Sequence, residues 1–382
     1  MPDLHLLSPR GFTAAGVKAG IKSSGKRDVG LLLCEALATA AAAFTTSKVV
    51  SPAVIVGQSH VARGRLRGVV VNAGNANACT GRQGLRDAQR MCALASTIGN
   101  CTAEQILPSS TGIIGQLLPM EKVEAGITAA GRALGSSAEH AEAFMDAILT
   151  TDTRRKSAGV EFKIGRDVVR LAGVCKGSGM IGPRLGVNKA NAKPQAAHAT
   201  MLAYLTTDAA VAAPLLRKLL QNAADASFNA VTVDDHASTN DTACLLASGT
   251  SGVKIASPAA IKKFAAALDE VSQSLAYQIA ADGEGATKVV KIVVTGATTT
   301  AAARAIARTI ANSPLVKCAM NGNDPNWGRI VSAAGYAGAA FDANKSSLKL
   351  QGTTVFKSGQ PVPFDAAKVS EALKLPEVVA EL

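Results

Sequence analysis

Aromatic side chains are scarce in this sequence. Nine Phe, three Tyr and one tryptophan, Trp327, make up only 3% of its 382 residues. Since 48% of the residues are hydrophobic and 35 are glycine, small and aliphatic side chains must fill the interior, which predicts close approach of strands and helices. The shortage also argues against single-stranded nucleic acid, whose bases stack on aromatic platforms. Paired cysteines are missing too. Seven cysteines are scattered with no CxxC spacing, a pattern that reads as reduced thiols of a cytoplasmic protein and not as a disulfide framework or zinc site. The most apolar run, residues 34–44, is too short to cross a bilayer, which takes roughly 20 residues. The N-terminus, MPDLHLLSPRGF, has no basic segment followed by an apolar one, so no secretory signal is expected. Charged residues at 18% and a high apolar content exclude a disordered chain. A cytoplasmic globular protein with no membrane partner remains, long enough for two or three domains or one large one.

The net charge of +12 is unevenly spread. Residues 1–199 hold 24 Lys+Arg and 13 Asp+Glu, net +11, and residues 200–382 hold 16 and 15, net +1. A basic half invites nucleic acid, but no helix-turn-helix or aromatic RNA-binding string accompanies it. A solvated basic surface, or steering of small anions such as carboxylates or a phosphorylated ligand, fits better.

Short β-like runs alternate with alanine-rich helical ones, a mixed α/β pattern. Strands are predicted at 49–56, 67–72, 160–164, 168–174, 243–248, 288–295 and 348–351. Helices are predicted at 84–98, 120–134, 136–150, 214–228, 258–282 and 298–312, with a further helix at 200–205. Ser136 and Glu139 have the spacing of a capping box. Residues 182–199, GPRLGVNKANAKPQAAHA, have two prolines and weak periodicity, and read as a long exposed loop, functional or cleavable.

Most catalytic templates fail. GxxxxGK[ST] is absent, and Lys176-Gly-Ser-Gly179 reads as a tight turn more readily than as a phosphate cradle. His5, His60, His140, His198 and His236 show no metal-ligand spacing, so no metal is expected. There is no GxSxG elbow. His236 beside Asp234 and Asp235 reads as a surface turn with local hydrogen bonds. What stands out are polar Gly- and Thr-rich patches in an apolar chain: Pro108-Ser-Ser-Thr-Gly112, Leu149-Thr-Thr-Asp-Thr153, Lys176-Gly-Ser-Gly179, Ala199-Thr200-Met201, residues 232–242 and residues 282–288. Singly each is a turn or a cap; Thr200 alone would be read as a helix N-cap.

In this order they resemble the ornithine acetyltransferase family, also called glutamate N-acetyltransferase, of the cyclic arginine route. The resemblance extends over nearly the whole chain, through Pro9-Arg-Gly-Phe12, Phe44-Thr-Thr46, Asn72-Ala-Gly-Asn-Ala-Asn77, Ser313-Pro-Leu-Val-Lys317 and Asp324-Pro-Asn-Trp-Gly-Arg329. It implies an αββα sandwich, shared with related aminopeptidases. It also implies self-cleavage between Ala199 and Thr200, giving an α chain, 1–199, and a β chain, 200–382, that assemble as α2β2. Thr200 becomes the nucleophile, with an α-amine of pKa about 7.7–8.0 as a base within reach. Thr111 and Gly112 supply the oxyanion hole, and Thr151, Lys176 and Glu284 contact substrate. The implied reaction is ping-pong: N2-acetylornithine acetylates Thr200, ornithine leaves, and glutamate takes the acetyl group. No cofactor is implied, though acetyl-CoA is a possible donor.

The chain departs from the family pattern in three places. Residues 182–198, with His198 at their end, intervene between the Lys176 block and the Ala199–Thr200 pair, where the family has only a few residues. Asp234-Asp-His236 stands where the family usually has a glycine. The family pattern continues past Pro376-Glu-Val-Val into further strands and a substrate-binding Asn and Ser/Thr, whereas this sequence ends at Leu382. Two other readings follow: a related N-terminal-nucleophile hydrolase, or an unprocessed and inactive homologue.

Overall fold

The alanine-rich run 34–44 belongs to a 17-residue strand in the computed structural model, which describes residues 4–187 and 200–382. The chain divides into two units. The first takes residues up to 231 together with 235–284, the second 232–234 with 285–382.

The first unit carries β1 (Phe12–Val17), β2 (Val29–Thr45), β3 (Arg65–Asn75), β4 (Ile106–Ile113), β5 (Lys156–Ile164), β6 (Asp167–Lys176), β7 (Leu185–Gly186), β8 (Leu202–Thr207) and β9 (Thr242–Ala247). Its helices are α1 (Pro52–Val61), α2 (Gly81–Gly99), α3 (Met120–Arg132), α4 (Ala138–Ile148), α5 (Ala213–Ala226) and α6 (Pro258–Ala281). The strands run in the order β4-β3-β2-β9-β8-β6-β5, with β1 and β7 also paired to β2. β2 serves two strand groups. Its first half pairs with β1 and β3, its register shifts between Leu33 and Ala38, and its second half pairs with β9.

Because side chains alternate across a strand, Leu31 and Leu33 join one apolar cluster with α2 and α3, while Leu32 and Cys34 join another. That second cluster brings Val69, Val71 and Leu107 of the first strand group together with Val174, Leu202, Tyr204, Cys244 and Leu246 of the second. α5 packs on β2 and α6 on β5 and β6. The result is helices, strands, strands and helices in four layers, the αββα class that the resemblance implied. Each fully buried aliphatic side chain contributes about 1.5–3 kcal/mol. The packing is as close as the scarcity of aromatics predicts: a Cβ on Gly16 would lie 1.8 Å from the carbonyl oxygen of Ala143.

Several local expectations are corrected. Residues 49–56 do not form a strand. Pro52 opens α1, and the Ser51 hydroxyl accepts from the Ala53 N–H, so start signals override the β-branched valines. Residues 200–205 are not helical but lead into β8, every residue of which is buried. α4 is preceded by Ser137, whose hydroxyl bonds the His140 ring instead of capping the helix, so the Ser136–Glu139 box does not form. Within 182–199, Leu185–Gly186 pair with β2 as β7 and are not an exposed loop; residues 188–199 lie outside the described residues. The Asp234–His236 turn is exposed.

The second unit has β10 (Val289–Val293), β11 (Ser347–Leu350), β12 (Thr353–Lys357), β13 (Gln360–Pro361) and β14 (Glu377–Glu381), in the order β10-β14-β11-β12-β13. α7 (Thr300–Asn312), α8 (Pro314–Asn321), α9 (Trp327–Gly335) and α10 (Ala366–Ala372) supply Ile306, Ile310, Met320, Ile330 and Val369 to its core. Trp327 stacks on Phe356 with ring centroids 5.2 Å apart. Among the described residues, no helix is long and apolar enough to cross a membrane.

Candidate active site

The polar patches converge where strands of the first unit end. β6 ends at Lys176, β9 starts at Thr242, and Thr200 and Met201 lead into β8; Leu202 pairs with both Lys176 and Thr242. Thr200 is 1% exposed. Its Oγ1 lies 3.0 Å from Ser238 Oγ, and its carbonyl oxygen accepts a 2.9 Å hydrogen bond from Lys176 Nζ. The same ammonium stands 3.4 Å from Thr111 Oγ1. Three of the sequence-selected residues, Thr111, Lys176 and Thr200, thus meet around one point. Ala199 lies outside the described residues.

Thr111 and Gly112 are held by β3. Gly74 pairs with Gly112, whose φ is +132°, and a Cβ on Gly112 would lie 2.3 Å from the carbonyl carbon of Gly74. Only glycine accepts both the conformation and the contact. Two asparagines fix this end: Asn72, within β3, accepts through Oδ1 from Ser110 Oγ at 2.6 Å, and Asn240 Nδ2 donates to the carbonyls of Ala76 and Ser110.

Lys176 belongs to a buried charge network. Asp152 Oδ1 accepts from the Gly177 N–H at 2.6 Å and from Lys156 Nζ at 2.7 Å, while Asp282 Oδ2 takes Lys156 Nζ at 2.5 Å. Lys176 Nζ is 3.9 Å from Asp152 Oδ2. Burial raises the Asp152 pKa, but the Lys176 and Lys156 charges and their hydrogen bonds outweigh it and hold the carboxyl down at about 2. Burial lowers the Lys176 pKa against the pull of Asp152, Asp241 and Glu284. The chain bends at residues 178–180 after β6, and the Glu284 carboxylate packs against this bend. A Cβ on Gly179 would lie 2.4 Å from the Glu284 carboxyl carbon. The Glu284 N–H donates to the Ser178 carbonyl, and the residue is exposed. Thr151 is also exposed, next in sequence to buried Asp152. The structure therefore ties Glu284 to the bend after Lys176 and leaves Thr151 one residue from the network.

Asp241 organises the turn before β9. Its carboxylate accepts from the N–H groups of Met201, at 2.7 Å, and Ser238, at 3.1 Å. Burial drives its pKa up to about 7 against these bonds and the Lys176 charge. The Asn240 N–H donates to Ser238 Oγ at 3.0 Å. Sequence reasoning singled out the patches 149–153, 232–242 and 282–288 but not Asp152, Ser238, Asp241 or Asp282 within them, nor Lys156 just beyond the first. Four of these five are acids or a lysine in an apolar chain, and that was the available signal. Among the described residues, no three His, Cys, Asp or Glu side chains cluster as metal ligands.

Comparison with known proteins gives a consistent result. The sequence profile of the ArgJ family matches residues 13–382. The arginine biosynthesis bifunctional protein ArgJ of Rhodopirellula baltica is 42% identical over 382 aligned residues, covering 99% of this chain and 90% of its own. The protein of the same name from Symbiobacterium thermophilum is 44% identical, covering 97% of this chain and 90% of its own. Among solved structures, the ArgJ protein of Bacillus halodurans is 37% identical over 48% of this chain and 95% of its own, with a TM-score of 0.46.

Proposed function

The chain belongs to the ArgJ family of enzymes, and we propose that it moves an acetyl group from N2-acetylornithine to glutamate through an ester on Thr200. The observation that carries this reading is the meeting of Thr200, Lys176 and Thr111 within hydrogen-bond reach at converging strand ends.

A threonine hydroxyl is a weak nucleophile until a base takes its proton. Cleavage of the Ala199–Thr200 bond would create that base, the α-amine of Thr200, on the same residue. The branched Cβ restricts χ1 and narrows the directions from which Oγ1 attacks. In the first half-reaction Oγ1 bonds the acetyl carbon, the amide C–N bond breaks, and the hydroxyl proton ends on the departing α-amine of ornithine. In the second, the glutamate α-amine attacks the ester, Thr200 regains its proton, and N-acetylglutamate leaves.

Both half-reactions pass through an anionic oxygen. Lys176 donates to Thr111 Oγ1, which leaves the Thr111 hydrogen free to be aimed at that oxygen beside the Gly112 N–H. Such a donor contributes about 3–4 kcal/mol to the transition state. The Lys176 ammonium suits a substrate carboxylate, and Glu284, with Thr151 near it in role, suits substrate ammonium groups. Neither half-reaction draws on a cofactor; acetyl-CoA fits as a second acetyl donor. We assign the fragments 1–199 and 200–382 to an α2β2 enzyme of the cytoplasm acting on small molecules.

Purified protein supplied with N2-acetylornithine and glutamate should yield ornithine and N-acetylglutamate in equal amounts. Release of acetate at a rate independent of glutamate would favour the hydrolase reading instead.

A further inference from the structure

We propose that Ser238 is a further catalytic residue, a hydrogen-bond donor to Thr200 Oγ1 that stabilises the negative charge this oxygen carries as it attacks and as it departs. The inference rests on the acyl-transfer reading of Thr200.

The argument begins with the valences of one hydroxyl. Ser238 Oγ has two lone pairs and one hydrogen. The Asn240 N–H, 3.0 Å away, occupies one lone pair. Thr200 Oγ1 lies 3.0 Å away, a contact in which either hydroxyl can be the donor. If Ser238 donates, the Thr200 hydrogen stays available to the base, and Oγ1 meets a donor as its proton leaves. The Asn240 N–H polarises the Ser238 hydroxyl in the same direction, since hydrogen bonds in a chain strengthen one another.

The surroundings make this geometry hard to lose. Ser238 is fully buried, in a site where Thr200, Asn240 and Asp241 are all at most 1% exposed. Its carbonyl accepts from Thr45 Oγ1 at 2.5 Å, which ties it to the end of β2. Its N–H and that of Met201 share the Asp241 carboxylate. One side chain thus fixes both the residue after the nucleophile and the residue that bonds the nucleophile. Asn240, which orients Ser238, is itself anchored through Nδ2 to the carbonyls of Ala76 and Ser110, the latter just before Thr111. The donor to the nucleophile and the strand end bearing Thr111 are therefore set by the same asparagine. A serine that served packing alone would not need its oxygen at hydrogen-bond distance from the reacting atom.

A donor to Oγ1 acts on attack and on departure alike, because the same oxygen is charged in both. That separates this role from substrate binding, which would change KM, and from the oxyanion hole, which acts on the acetyl oxygen. Removing one preorganised donor typically costs about 10²-fold in kcat.

The test uses the full chain with Ser238→Ala, Ser238→Cys and Ser238→Thr, each assayed per mole of processed protein as counted by mass spectrometry. Ser238→Ala should lower kcat roughly 10²-fold with KM for acetylornithine and glutamate unchanged. Single-turnover acetylation of Thr200 and its deacetylation by glutamate should slow by similar factors. Ser238→Cys, close in size but a poor donor, should behave like the alanine variant, while Ser238→Thr, which keeps the hydroxyl, should recover most of the rate. An unchanged melting temperature shows that the fold is intact. Wild-type rates in Ser238→Ala, or loss confined to KM, would overturn the inference while leaving acyl transfer standing. If the wild-type chain itself transfers no acetyl group, the reading of Thr200 fails, and the inference falls with it.

Discussion

Lys176 Nζ stands 2.9 Å from the carbonyl oxygen of Thr200, and these two residues fall on opposite sides of the proposed break at Ala199–Thr200. The bond belongs to a wider interleaving. β8 and β9, which follow the break, lie between β2 and β6, which precede it. Cutting the chain would remove one covalent bond and leave the pairing of β8 with β6 and of β9 with β2 intact.

The processed fragments should accordingly stay together under native conditions and part only in denaturant. Size-exclusion chromatography of processed protein, followed by a denaturing gel of the same peak, checks this. Fragments that elute separately without denaturant would contradict the sheet order.

Gly112→Ala should impair both stability and catalysis. Its φ of +132° is strained for any residue with a side chain, and the new Cβ would collide with Gly74 2.3 Å away. The β3–β4 end would have to open, displacing Thr111 from Lys176. We expect a lower melting temperature and kcat reduced at least about tenfold. A variant equal to wild type in both would mean that this strand end does not set the site.

Lys156→Met should destabilise the first unit sharply. Lys156 is fully buried between Asp152 and Asp282, so its loss takes the shared ammonium from two buried carboxylates, at a cost of up to about 3–5 kcal/mol, offset in part by the Gly177 N–H on Asp152 and by Thr153 and Arg154 on Asp282. Adding Asp152→Asn and Asp282→Asn to the methionine variant should recover a large part of that loss in urea unfolding. If the single variant is as stable as wild type, the network is not structural.

Asp241 makes a pH prediction of definite sign. Its folded pKa is pushed up to about 7, above an unfolded value near 3.9. Between those values the folded state holds the proton more tightly, so stability from this group falls as pH rises from about 4 to about 7. Asp152 runs the other way: its depressed pKa contributes stability that is lost as pH falls from about 4 towards 2. Asp241→Asn should flatten the decline of unfolding free energy across the upper window and leave the acid limb alone. An unaltered slope between about pH 4 and 7 would show that Asp241 does not titrate there.

Long amphipathic helices such as α2 and α6 were legible in the sequence, because one apolar face repeats over many turns and prolines or small polar residues mark their starts. β2 and β8 were not. Both are buried on two faces, so they lack the alternation that reveals a half-exposed strand, and alanine in β2 mimics a helix former. α1 was misread because Val49, Val50, Val54 and Val56 outweighed the Ser51-Pro52 start signal. At the site, Thr111, Lys176 and Thr200 came from the family resemblance that the ordered polar blocks carry. Ser238 and Asp241 did not, since only folding brings the turn before β9 against Thr200; Asp241 offered no more than an acid in an apolar chain, and Ser238 not even that.

The account turns on a covalent acetyl group on Thr200. Protein mixed with N2-acetylornithine in the absence of glutamate, quenched in acid and analysed as intact fragments by mass spectrometry, tests this directly. The prediction is two fragments, 1–199 and 200–382, with one acetyl group on the second, mapped to its first residue and discharged by added glutamate. A single uncut chain of 38.7 kDa, or an acetyl group on any other residue, would contradict it.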